Sequence, residues 1–124
     1  MTVKQVIGLI DSLLPNTVQD PVKVKWLGDL EQIVHLDVHM THEGTDKWDF
    51  TALDADSSLE TELSIKAPYD EVYRWYLELK ICEVMGEIER LNNAAAKYNA
   101  ALIAYMDYIN RNYTPKGVRN IRIL

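Results

Sequence analysis

Cysteine is almost absent from this chain. Cys82 stands alone among 124 residues, so no intramolecular disulfide can form and a reducing compartment is expected. Five Gly and four Pro are too few for an all-β chain, which needs turns throughout. No apolar run approaches the ~18 residues that a membrane-spanning helix needs, so no membrane partner is expected. Residues 1–11 have too short an apolar run and no small-residue cleavage site for a secretory leader, which points to a soluble, cytoplasmic product. Cations are outnumbered as well: 13 Lys and Arg face 19 Asp and Glu, a formal net charge of -6. Tight binding to the outside of duplex nucleic acid relies on clustered cations, and this balance argues against it.

Catalytic signatures are missing too. There is no Gly-rich phosphate loop and no Gly-x-Ser-x-Gly. Cys82 falls inside an apolar helical stretch with no adjacent cation, the setting of a buried structural thiol. His35, His39 and His42 lie close together, and a four-residue spacing puts His35 and His39 on one helical face, with Glu31 one turn earlier. Leu36 follows His35, so the His-Glu-x-x-His pattern fails. His35 and His39 are weak metal candidates at most, and neither a metal nor a cofactor is expected. Asp54-Ala55-Asp56-Ser57-Ser58 begins like a calcium loop, but Leu59 stands where glycine is required and Ile65 where a bidentate glutamate belongs. The chain is not expected to be an enzyme.

What is present is helical periodicity. With 48% hydrophobic and 26% charged residues, the chain suits one soluble globular domain over residues 1–124. Val3, Val6, Ile7, Ile10, Leu13 and Leu14 predict a helix over 2–14, stopped at Pro15. Asp20 before Pro21 reads as an N-cap, and Val22, Trp26, Leu27, Leu30, Ile33, Val34 and Val38 predict a second helix over 20–40. Asp70 reads as the cap of a third helix over 69–85, apolar nearly all round and so expected to be buried. After Gly86, a fourth helix is predicted over 87–112. Its seam, Ile88, Leu91, Ala95, Tyr98, Leu102, Tyr105 and Ile109, alternates spacings of three and four and is expected to pack on helices two and three. A second apolar edge, Ala94, Ala101, Ile103, Ala104, Met106 and Tyr108, suggests a further partner. Such a helix is about 37 Å long, against a domain diameter of about 35 Å, which favours oligomerisation. The fold class expected is mainly α: a four-helix antiparallel bundle-like domain.

Two segments differ from this pattern. Residues 41–67 lose periodicity, and between Glu43 and Glu62 they hold Glu43, Asp46, Asp49, Asp54, Asp56, Glu60 and Glu62 against Lys47 alone. They predict a mobile acidic loop between helices two and three, with a short β piece at 63–66. Residues 114–124 form a cationic tail with Lys116, Arg119 and Arg122. All seven tyrosines fall between Tyr69 and Tyr113, where core packing and interface use are equally open. Trp48, alone in the acidic loop, either inserts into a partner or folds back over its own core.

Several short motifs add a resemblance. Pro68-Tyr69-Asp70-x-x-Tyr73-x-x-Tyr76-Leu77, Gly86-Glu87-Ile88-Glu89-Arg90-x-Asn92, Tyr98-Asn99 and Asn110-Arg111-Asn112-Tyr113-Thr114-Pro115 resemble the small head–tail connector proteins of long-tailed bacteriophages and prophages. Pro15-Asn16, Val22, Lys25-Trp26-Leu27 and Glu31 agree in outline, whereas the acidic insert and the tail beyond Pro115 match nothing in that pattern. The resemblance implies a structural adaptor of the virion neck, made in the host cytoplasm. Such a protein forms a homo-oligomeric ring below the portal protein, extends the DNA channel and docks a head-closure or tail protein. DNA would pass as cargo without sequence-specific binding. On this reading Asp46, Asp49, Asp54 and Asp56 are channel-lining candidates. Trp48, Trp75, Tyr108, Arg119 and Arg122 are interface candidates. The rival expectation is a homo-oligomeric bacterial helical-bundle interaction protein with no viral role.

Overall fold

The computed structural model describes residues 1–117, so Arg119 and Arg122 lie outside the described residues. The fold is mainly helical and bundle-like: α1 spans Val3–Leu13, α2 Asp20–Val34, α3 Glu71–Met85 and α4 Ile88–Asn112. Helix two, expected over 20–40, is divided. After Val34 the chain makes one π-helical turn, His35–His39, in which the Met40 N–H donates to the His35 carbonyl at 2.9 Å. Among the described residues there is no regular strand, only isolated bridges of Thr2 with Glu62 and His42 with Pro115. The β piece expected at 63–66 is therefore an extended segment rather than part of a sheet.

Local chemistry sets the helix ends. The Thr2 hydroxyl accepts the Gln5 N–H while the Gln5 side chain accepts the Thr2 N–H, a capping box that starts α1. Gln19, not Asp20, occupies the cap of α2. Asp20 stands just inside, where its charge meets the positive end of the helix dipole and Pro21 loses no needed donor. Asp70 holds the cap position of α3 but its side chain makes no capping hydrogen bond.

α3 touches every other helix and forms the middle of the fold. Val72, Tyr73, Leu77, Ile81 and Cys82 on it are fully buried. α4 folds back along α3 as a hairpin: Tyr98 meets Tyr76 at 5.2 Å and Tyr108 meets Tyr69 at 4.8 Å between ring centres. α3 is its main helical neighbour, and α2 contributes little. The expected seam is only partly covered. Tyr105 and Ile109 are buried, and Leu91, Ala95, Tyr98 and Leu102 half-buried, while Ile88 is 69% exposed. The hairpin turns at Gly86, so no α3 residue stands opposite Ile88, and Val84 and Met85 beside the turn are exposed with it. Ala94 takes the buried place instead.

The acidic segment is pinned rather than free. The Thr61 and Leu59 carbonyls accept the Val3 and Lys4 N–H groups at 3.0 and 2.8 Å, satisfying orphan donors of α1. Leu63 and Ile65 are fully buried. The Leu53 carbonyl crosses α2 so closely that a Cβ on Gly28 would lie 2.3 Å from its oxygen, which only glycine permits. Six of the segment's seven acids are exposed and Asp46 is half-buried, while Leu53, Leu59 and Thr61 hold the backbone against α1 and α2. Within the described residues, no helix is long and apolar enough to cross a membrane.

Candidate functional site

The richest cluster of polar and aromatic side chains forms where the π turn, the segment after it and the C-terminal half of α4 meet. The π turn brings His39 out of the α2 register and into contact with Tyr105, ring nitrogen to hydroxyl, at 2.6 Å. His42 follows, one ring nitrogen 2.7 Å from the Val38 carbonyl and the other 2.6 Å from the Asn110 side-chain oxygen. The Thr45 hydroxyl donates to the His39 carbonyl at 2.6 Å and closes the turn. Gly44, at φ 103°, passes so near the Tyr113 ring that a Cβ would lie 3.0 Å from it. Backbone bonds from Glu43 N–H to the Thr114 carbonyl and from Lys116 N–H to the Thr41 carbonyl, both 2.8 Å, complete the junction.

Burial controls its charge. His39 is 3% exposed, and burial, helped by its neighbours His35 and His42, lowers its pKa to about 4. The imidazole is therefore neutral at pH 7, and the Tyr105 phenol is raised by the same burial, then by the Glu31 charge. One helical layer away, the buried Glu31 carboxylate accepts the Ser64 N–H at 2.9 Å, the Ser64 hydroxyl at 3.0 Å and the Tyr73 hydroxyl at 2.5 Å. The Tyr73 oxygen in turn accepts the Ile65 N–H at 2.8 Å. Desolvation first, and then the Glu31 charge, push the Tyr73 phenol far up. This network ties residues 63–66 to α2 and α3, and so forms one wall of a pocket.

The pocket measures ≈ 250 Å³ and is lined by Trp48, Ser64, Lys66, Ala67, Pro68, Tyr69, Tyr105 and Tyr108. A cis Ala67–Pro68 bond precedes Tyr69, whose ring packs on both Tyr105 and Tyr108. Trp48 stands edge-on to His39 at 5.0 Å and to Tyr113 at 5.5 Å, yet remains 40% exposed. It both folds over the core and presents a face to solvent.

The other sequence candidates scatter. His35 stacks flat on Phe50 at 4.1 Å while His39 and His42 bond elsewhere, so the three imidazoles do not converge. Among the described residues, no group of three or more His, Cys, Asp or Glu is arranged to hold a metal. Asp46 accepts from the Lys116 ammonium at 2.7 Å and from the Gly44 N–H at 3.1 Å, and the lysine bond holds its carboxyl below the usual range. Asp54 folds onto its own turn, accepting the Asp56 N–H at 2.9 Å, which also accounts for the calcium-like spacing. Asp49 and Asp56 point into solvent. Trp75 is half-buried under the Arg74 guanidinium, 3.8 Å from its ring centre, and lies apart from the pocket. Cys82 is fully buried, and burial pushes its thiol up, away from the thiolate form.

Sequence reasoning passed over Phe50; it met Ser64 only in the extended piece at 63–66, Pro68 and Asn110 only as parts of the resemblance, and Glu31 only there and as a neighbour of the histidines. Glu31 had a signal: it shares the helical stripe of Leu27, Leu30 and Val34, where a carboxylate needs buried donors. The chain matches no known family model, no curated protein and no solved structure.

Proposed function

We propose that this chain is a non-catalytic structural adaptor of the head–tail connector kind. It self-associates into a ring below a portal protein, docks a head-closure or tail protein, and lets DNA pass as cargo. The observation that carries the reading is that apolar side chains are left uncovered at two places, the α3–α4 hairpin and the segment of α2 with the π turn. Val84 near the end of α3, and Ile88 and Ile103 on α4, are 65, 69 and 57% exposed. Ile33 on α2, Leu36 on the π turn and Met40 just after it are 43, 54 and 40% exposed, and Ile33 and Leu36 line a shallow depression with Asp29 and Asp37. Two different faces on one chain suit a head-to-tail interface, which closes into a ring when the rotation permits. The connector-like motifs at 68–77 and 110–115 support the same reading, because they build the pocket and the junction. Asp49 and Asp56 keep the channel-lining role, whereas Asp46 and Asp54 act within the subunit.

Native mass spectrometry across a concentration series, with negative-stain imaging of the largest species, tests this. A closed ring of many subunits is expected. A tight two-fold dimer would replace it with the bacterial helical-bundle interaction protein.

A further inference from the structure

The pocket between Trp48 and the tyrosines has an unusual balance of hydrogen-bonding groups. Its walls are four aromatic rings and a proline, and no carboxylate lines it. Glu31, behind Ser64, is already occupied by three donors, and the Tyr105 hydroxyl is taken up with His39. The Trp48 indole N–H and the Tyr108 hydroxyl have no acceptor among the described residues, whereas the Lys66 ammonium at the same rim already donates to the Leu63 carbonyl at 2.9 Å and pairs with Glu62 at 3.4 Å. The site thus offers an indole N–H and a phenol hydroxyl beside flat apolar faces, which suits a ligand rich in acceptors.

Size narrows the choice. At ≈ 250 Å³ the pocket falls below the roughly 300–1,000 Å³ of small-molecule sites, and suits one or two side chains of a longer chain. A proline imide presents a carbonyl and no N–H, and a polyproline helix is preformed with its carbonyls turned to solvent. Aromatic-lined grooves that carry donors recognise such segments. We infer that this pocket docks an extended proline-rich segment of a partner protein, its rings lying on Trp48, Tyr69 and Tyr108 and its carbonyls accepting from the Trp48 indole N–H and the Tyr108 hydroxyl. The site is complete in one subunit, so the inference holds whether or not the chain forms a ring.

The test is nuclear magnetic resonance titration of the full chain with a capped decaproline peptide, a capped Gly-Ser peptide of equal length, and indole-3-propionate. Decaproline is expected to saturate and to move signals of Trp48, Tyr69, Tyr105 and Tyr108 while leaving Trp26 and Trp75 in place. Losing an aromatic anchor by Trp48→Ala should weaken it by about tenfold or more. Tyr108→Phe keeps the ring and removes only the donor, so it should fold normally and weaken binding by about threefold. No saturation with decaproline would overturn the inference, as would equal binding of the Gly-Ser peptide or unchanged affinity in Tyr108→Phe. Saturation by indole-3-propionate alone would reassign the pocket to small aromatic acids.

Discussion

The two halves of α4 carry the same spacing of apolar residues and meet different fates. In the C-terminal half, Tyr105 and Ile109 are buried, Tyr108 packs on Tyr69, and Asn110 is bonded to His42. In the N-terminal half only Ala94 is buried, and Ile88 is largely in water. The C-terminal half gains a second set of neighbours from the π turn and residues 41–48, which the N-terminal half lacks. Heptad spacing defines a face; other segments of the chain decide whether it is covered.

The contrast is sharpest in stability. Ile109→Ala removes a fully buried side chain and is expected to cost about 2–5 kcal/mol, whereas Ile88→Ala should cost less than about 0.5 kcal/mol. Urea titrations of the two variants give both values. Equal costs would mean that the N-terminal half is covered in solution, as it would be inside an assembly.

Acid should act first on the covered half. His39 has a folded pKa of about 4 against an ordinary 6.5, so the unfolded chain binds its proton more readily. Stability is therefore full above about pH 6.5, falls as pH drops toward 4, and loses about 3 kcal/mol from this group before levelling. Asp46 and Glu62, whose pKa values are held below their ordinary 3.8 and 4.5 by Lys116 and the N-terminal ammonium, add losses that set in near those ordinary values and continue below them. A His39→Gln variant should show a flatter profile between pH 6.5 and 4. An identical slope would place the acid sensitivity elsewhere.

A smaller effect is expected from Asn110→Ala, which takes the side-chain oxygen from the ring of the buried His42. The cost should be about 1–2 kcal/mol, since a buried imidazole nitrogen loses its partner while the helix itself gains propensity. Hydrogen exchange should then quicken at Glu43 and Lys116, whose amides bridge residues 41–43 to 114–116. Unchanged exchange there would show that His42 does not hold the junction.

The fold was largely legible because three of its helices announce themselves by spacing and by stops at Pro15 and Gly86, and α2 by its start at Pro21. The π turn was not, since its residues His35–His39 continue the apolar stripe through Val38, and periodicity alone does not register one extra residue per turn. The acidic segment read as loose because its anchors are long-range and mostly backbone: Leu53 over Gly28, Ser64 on Glu31, Thr61 on Val3. None of these leaves a short-range pattern. The junction was half legible. Trp48 stood out as a lone aromatic among acids, and the tyrosines as a group, but their meeting with His39 depends on a turn that no spacing rule foresees.

The smallest expected change in stability tests the largest claim about assembly. Ile103 stands 57% exposed on α4, on the helical face turned away from Tyr105 and Ile109. Replacing it by glutamate places a charge where water already is, so urea stability should move by less than about 0.5 kcal/mol. If that face docks on a neighbouring subunit, the same charge must be desolvated in every interface of a ring, and a ring repeats the penalty at each contact. Native mass spectrometry of Ile103→Glu should then show a folded monomer where the parent forms its oligomer. A variant that is folded and still assembles would remove this face of α4 from the interface. Assembly would then have to use the apolar area at Ile33, Leu36 and Met40 on both subunits, an isologous contact that builds dimers rather than rings.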